Sequence, residues 1–181
     1  MNRIAKFEKV SYDQFKKDWL DTFPNKFNDD WTEDEVDKVI RNIYDSIELP
    51  KRGTSGSAGY DFHCPSYITI PINSSIKIPT GIKCYMYDGW VLECYPRSSY
   101  GFKYGACLAN TVGIVDKDYY DNTNNEGHIF IKLVNDSVLA KPIEINTGDA
   151  FCQGILTPFG ITYDDDTTEI RTGGIGSTNK K

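Results

Sequence analysis

The chain has 181 residues and carries 20 Lys and Arg against 26 Asp and Glu, a net charge of −6 at pH 7. That length suits one domain with a real hydrophobic core, held together without disulfide or metal staples. The acidic balance argues against a duplex-DNA or anionic-membrane binder, because phosphate neutralisation needs clustered Lys and Arg; an anionic ligand must be held by a few local groups.

Residues 1–46 differ in pattern from the rest. Ser11 with Gln14, and Thr32 with Glu35, have the spacing of a capping box. Val36, Val39, Ile40, Ile43 and Tyr44 then recur at helical period and define one apolar face. Phe23-Pro24 separates the two segments, since proline disfavours helix at the residue before it. A short N-terminal helical extension is expected.

From Ile47 the period changes. Ile68–Ile70, Ile76–Ile78, Gly89–Cys94, Ile129–Val134, Ile143–Ile145 and Phe151–Ile155 are short strand candidates, separated by Pro, Gly, Asn and Ser. Nineteen Ile and 24 aromatic residues against six Ala is a strand-forming vocabulary, so residues 47–163 read as an all-β core. Residues 164–181 open acidic and end rich in Gly, Thr and Lys. Such a tail buries little apolar area and is expected to be a flexible arm.

The five cysteines (64, 84, 94, 107, 152) form an odd set without a CxxC pair. Reduced thiols are expected, rather than a zinc site or a disulfide framework. The N-terminus has no apolar signal region and no apolar run reaches membrane-spanning length, so the expected location is the cytoplasm.

Five segments place Gly or Pro beside a small polar or charged group: SAGYD at 57–61, PRSSYG at 96–101, GIVDKDY at 113–119, GDAFCQ at 148–153 and RTGGIGST at 171–178. Singly each has an ordinary reading as a turn, a hairpin or a linker. The Gly-rich run matches neither a P-loop nor a dinucleotide fingerprint. Together and in this order they closely resemble the five motifs of the homotrimeric dUTPase family, over about residues 47–180.

The resemblance implies a fold, a reaction and a set of roles. The fold is a jelly-roll-like β-clip barrel of the trimeric dUTPase type. Each active site is assembled from three chains, and the C-terminal arm closes over a site on a neighbour. The reaction is hydrolysis of dUTP to dUMP and pyrophosphate, Mg²⁺-dependent, which limits uracil in DNA and supplies dUMP for dTMP synthesis.

Asp116 resembles the carboxylate that orients and deprotonates the attacking water, and Tyr119 the aromatic plate under the deoxyribose, against which a 2′-hydroxyl would collide. Asn110, with the hairpin backbone at Gly113, resembles the contact to the base. Arg97, Ser98 and Ser99 correspond to the phosphate-facing second motif, and Gln153 to the amide at the α-phosphate. Arg171 resembles the γ-phosphate clamp, for which guanidinium geometry is suited. Gly174, Gly176, Ser177 and Thr178 would hydrogen-bond the terminal phosphates, while Ile175 would cover the base. Asp61 resembles the first-motif Asp, acting on the metal through water; a purely structural role remains open for it.

Two departures from the family stand out. Ile175 occupies the place of a Phe that caps the uracil, so aromatic stacking of roughly 0.5–1.5 kcal/mol is lost and a modestly raised KM is expected. After Tyr120 the chain runs through a longer polar turn, residues 121–127, where the family has a short Arg-Gly-Glu.

The chemistry of these residues is consistent with the resemblance. Hydrolysis needs an aligned water and charge stabilisation. A carboxylate with an ordinary pKa of about 3.9 is ionised at neutral pH, and Mg²⁺ prefers phosphate oxygens and water to a protein cage. Neither histidine, His63 or His128, falls inside a motif core, which disfavours a His-based triad. A uracil-pairing site rejects cytosine by leaving buried groups unpaired.

Three other readings differ from this one at specific residues. A dCTP deaminase needs a Glu on the strand after the hairpin, where this chain reads Phe130–Asn135 without one. The all-α dUTP hydrolases need paired acidic motifs on several helices, and Glu33–Asp37 is a single cluster at a helix start, where it suits the dipole. A regulatory protein partner would dock on the N-terminal extension if Phe7, Phe15, Trp19, Phe23 and Trp31 formed an exposed face; otherwise those rings pack on the body or on the trimer edge.

Overall fold

Both helix starts of the N-terminal segment are capped by the residues that announced them. In the computed structural model, which describes residues 2–27, 30–136, 141–169, 171 and 173, Ser11 Oγ accepts the Gln14 N–H at 3.2 Å and opens α1, Tyr12–Thr22. Thr32 opens α2, Glu33–Ser46, with a complete capping box: its hydroxyl accepts the Glu35 N–H, and the Glu35 carboxylate accepts the Thr32 N–H at 2.9 Å. At α1 the reciprocal half is absent. Gln14 turns instead to donate to Asp18 at 2.8 Å, and the Ser11 N–H goes to Glu126.

The segment is not wholly helical. Ala5–Lys9 forms a strand, β1, paired antiparallel with β6, Ile82–Met86, with Phe7 opposite Cys84. Five residues cannot hold a strand alone; the open edge of β6 supplies the hydrogen bonds, and alternation turns Phe7 inward.

The remaining strands are β2 (Lys51–Arg52), β3 (Tyr60–His63), β4 (Ile68–Ile70), β5 (Ser74–Pro79), β7 (Trp90–Pro96), β8 (Cys107–Leu108), β9 (Gly113–Val115), β10 (Phe130–Asn135), β11 (Ile143–Ile145) and β12 (Ala150–Pro158). A short helix, α3 (Ser98–Tyr104), follows β7. All pairings are antiparallel, as β2-β3-β12-β7-β9, β5-β10-β8, β11-β4 and β1-β6. Among the described residues these sheets do not close into a ring of paired strands, so the observed fold is a mostly-β packing of open sheets.

One contiguous core joins the sheets to the helices. Phe15, Trp19 and Ile40 are fully buried in the same cluster as Ile70, Ile78, Leu92, Leu133, Ile143 and Phe151. Burying each such side chain is worth roughly 1.5–3 kcal/mol. Of the five rings in the extension, Phe7, Phe15 and Trp19 are buried and Phe23 packs against the core; Trp31 is exposed, stacked edge-on against Phe27. Among the described residues no helix is long and apolar enough to cross a membrane.

Candidate active site

Pairing of β7 with β9 sets Gly113 opposite Cys94. A Cβ at Gly113 would stand 3.1 Å from Cys94 Cβ, so the glycine lets the two strands close up. Immediately after β9, Asp116 precedes a single 3₁₀ turn, Lys117–Tyr119. Its carboxylate makes no capping bond there and points outward, half exposed. The turn swings Tyr119 back inward, where its ring is buried. Asn110, Gly113, Asp116 and Tyr119 thereby border one cleft of about 300 Å³, floored by Ile129 and Ile131. That volume suits a small ligand with an apolar face.

Tyr119 is held at its hydroxyl. It donates to the carbonyl of His128 at 2.8 Å and accepts from Asn125 Nδ2 at 2.7 Å. Burial raises its pKa, so the phenol stays neutral. The turn leaving the hairpin crosses close beneath it: Gly127 has φ +78°, and a Cβ there would lie 2.6 Å from the Tyr119 carbonyl oxygen. Only glycine satisfies both conditions.

The second group of predicted residues lies elsewhere on the chain. Gln153 on β12 faces Asp61 on β3 across the ladder. Gly59 leaves room for the Gln153 side chain, since a Cβ there would meet Gln153 Oε1 at 2.7 Å. Arg97, anchored by its N–H to the Phe151 carbonyl at 3.1 Å, forms an ion pair with Asp61. These three, with the exposed Ser98 and Ser99, border a second, open cleft of about 590 Å³. It shares no bordering residue with the first.

Arg171 belongs to the first cleft. Its Nη2 donates to Asp116 at 2.5 Å and its Nε to Asp118 at 2.8 Å, with the guanidinium 5.9 Å from the Tyr119 ring centre. The structure thus brings Asn110, Gly113, Asp116, Tyr119 and Arg171 together. It gathers Asp61, Arg97, Ser98, Ser99 and Gln153 separately. Gly174, Ile175, Gly176, Ser177 and Thr178 lie outside the described residues.

His128 lies in no sequence motif, and neither Asn125 nor Asp18 carries a local signal in the sequence. His128 is buried, with Nδ1 2.5 Å from Asp18 Oδ2 and Nε2 accepting the Gly81 N–H at 2.7 Å. An accepting Nε2 leaves the proton on Nδ1, directed at the carboxylate. Burial holds the His128 pKa below its ordinary value, in keeping with a neutral ring. At Asp18 burial pushes the pKa up, but hydrogen bonds from His128 and Gln14 outweigh it, and the net direction is down. No local signal in the sequence joins residues so far apart.

No group of three or more His, Cys, Asp or Glu side chains is placed to hold a metal among the described residues. The first-motif carboxylate, Asp61, stands alone beside Arg97 at the open cleft. A lone carboxylate fits a magnesium ion carried on a phosphate ligand and reached through water, and does not fit a protein cage.

Residues 45–179 match the model of the dUTPase family. The chain is 42% identical to the deoxyuridine 5′-triphosphate nucleotidohydrolase of Lactococcus lactis over 134 residues, 73% of this chain and 88% of that protein. To the enzyme of the same name from Haemophilus ducreyi it is 35% identical over 153 residues, 80% and 95% of the two chains. Among solved structures it is similar to the dUTPase from Streptococcus mutans, with a TM-score of 0.61 and 32% identity over 86% of this chain and 97% of that one. The dUTPase from phage phi11 of Staphylococcus aureus shares the fold at 18% identity, with a TM-score of 0.57 over 74% and 97%. This chain belongs to the dUTPase family.

Proposed function

We propose that this protein is a dUTP diphosphatase that hydrolyses dUTP to dUMP and pyrophosphate by attack of water on the α-phosphorus. The observation that carries this reading is the convergence of Asn110, Gly113, Asp116 and Tyr119 on one cleft, with the carboxylate at its mouth and the ring inside.

In this reading uracil enters between Asn110 and the hairpin backbone at Gly113. The deoxyribose lies on the Tyr119 ring, whose closeness refuses a 2′-hydroxyl. Asp116 aligns a water opposite the leaving pyrophosphate and accepts its proton; the aligned geometry supplies most of the rate. No covalent intermediate is needed.

The phosphate-binding half is Arg97, Ser98, Ser99 and Gln153. The arm adds Gly174, Gly176, Ser177 and Thr178 at the terminal phosphates and Ile175 over the base, while Arg171, which borders the nucleoside cleft, turns its guanidinium to the γ-phosphate. Guanidinium and amide donors aimed at the phosphates stabilise charge as it develops on the leaving group. Mg²⁺ on the triphosphate would offset part of its charge, with Asp61 reaching it through water.

The two clefts of one chain share no bordering residue, which supports a homotrimer whose sites are assembled from three chains, with the nucleoside half from one subunit, the phosphate half from a second and the closing arm from the third. We read the open sheets as the jelly-roll-like β-clip barrel that such a trimer uses, with residues 1–46 as an extension, 47–163 as the core and 164–181 as the arm. Five free cysteines support a reducing compartment, the cytoplasm.

The test is product analysis with dUTP, dCTP, dTTP and UTP in the presence of Mg²⁺. Pyrophosphate and monophosphate are expected from dUTP alone, and Asp116→Asn should cut kcat by about 10²–10⁴-fold. Turnover of dCTP to a deaminated product, or full activity in the Asn variant, overturns the assignment.

A further inference from the structure

The N-terminal extension and the long polar turn after Tyr120 are bonded to each other. Ser11 donates its N–H and its hydroxyl to the two oxygens of Glu126, at 2.8 and 2.5 Å. The Tyr120 hydroxyl donates to Glu8. One step deeper, Asp18 on α1 accepts from His128, and the His128 carbonyl accepts from the Tyr119 hydroxyl.

Neither Asp18 nor His128 borders the cleft. A buried charged or polar pair of this kind is weak evidence for stability, because desolvation consumes most of its attraction. What the pair does achieve is geometric. The ring of His128 is fixed at both nitrogens, by Asp18 and by the Gly81 N–H. A fixed ring restrains its own backbone carbonyl, and that carbonyl sets the position of the Tyr119 hydroxyl.

We infer that Asp18 and His128 are positioning residues for Tyr119, through which the N-terminal extension sets the depth of the sugar plate and hence the preference for deoxyribose over ribose. The inference rests on the reading of Tyr119 as the surface under the sugar. Asp18 sharpens specificity without touching substrate, and Ser11 with Glu126 anchors the same turn from its outer side.

The test is steady-state kinetics on the full-length enzyme with dUTP and UTP, for Asp18→Ala, Asp18→Asn, Tyr119→Phe and the Asp18→Ala/Tyr119→Phe double variant. Asp18→Ala should raise the KM for dUTP about fivefold and reduce the dUTP-to-UTP ratio of kcat/KM by a similar factor, with kcat changed less than about twofold. Asp18→Asn, whose amide oxygen still accepts the Nδ1 proton, should stay near wild type. Tyr119→Phe keeps the ring and cuts the tether, so it should reproduce the loss, and adding Asp18→Ala should change little more.

A lowered melting temperature with KM and sugar preference unchanged in Asp18→Ala overturns the inference, as do additive effects in the double variant. Should Asp18→Ala not fold, Tyr119→Phe decides alone: a wild-type sugar preference overturns it. Tyr119→Ala checks the underlying reading. If that variant keeps its sugar preference the sugar-plate reading fails; if it loses the preference while Tyr119→Phe and Asp18→Ala keep it, only the positioning role fails.

Discussion

The Arg171 guanidinium lies across the Asp116 carboxylate, with Nη2 2.5 Å from Oδ2 and Nε 2.8 Å from Asp118. Asp116 is half exposed, so the pair meets water and contributes at most about 1 kcal/mol. A triphosphate offers the same guanidinium a more highly charged partner. Arg171→Ala is expected to lower kcat/KM for dUTP by about 10–100-fold, and Arg171→Lys to recover only part, because an ammonium cannot make the forked contact. Wild-type kcat/KM in the Ala variant would remove Arg171 from the site.

The buried His128–Asp18 pair makes stability depend on pH. His128 titrates below its ordinary value in the fold, so the unfolded chain takes up a proton first as pH drops. Stability therefore falls as pH descends below about 6.5, with a slope of at most one proton, about 1.4 kcal/mol per pH unit. Asp18, with its pKa lowered, adds stability that is present above about 3.9 and lost as pH falls through its folded value. Denaturant midpoints at pH 7.5 and 5.5 should differ accordingly, and His128→Gln should flatten the difference. An unchanged slope in that variant would assign the effect to other groups.

Gly127 carries two constraints at once, a left-handed backbone and a 2.6 Å approach of any Cβ to the Tyr119 carbonyl oxygen. The first alone costs a non-glycine residue about 1–2 kcal/mol, and backbone on the other side cannot yield cheaply. Gly127→Ala should lose at least about 2 kcal/mol in chemical denaturation and raise the KM for dUTP as Tyr119 is displaced. Tolerance of the substitution would mean that the turn is free to move.

Trp19 is fully buried against Phe15 and Phe23 inside the common core. Trp19→Ala should destabilise the protein by about 3–5 kcal/mol, read as a single shifted unfolding transition that also takes the strands. A separate early transition confined to helical signal would indicate that the extension folds by itself.

The helix starts were legible because capping acts over three residues: Thr32 and Glu35 meet whatever else the chain does. Strands such as Ile68–Ile70 and Ile143–Ile145 showed in their alternation, which the burial pattern repeats. β1 was missed. Its pattern is short, and its stability comes from β6, which begins 73 residues after β1 ends. β6 itself, Ile82-Lys-Cys-Tyr-Met86, alternates in burial, but with Cys84 turned inward and the aromatic Tyr85 outward its residue types do not announce which face is buried.

For the site, Gly113, Asp116 and Tyr119 were legible through the resemblance of their segment to a dUTPase motif, and a hairpin with its following turn is local enough to keep them together. By itself the sequence determined where α1 and α2 begin and the place of six strands, β4, β5, β7, β10, β11 and β12; each depends on contacts within a few positions, settled by backbone geometry and period. The tertiary structure alone decided that Asp18 meets His128 across 110 residues, that the extension shares the core, and that the predicted residues divide between two clefts. Those outcomes depend on which surfaces exclude water together, and a linear chain acquires such surfaces only on folding.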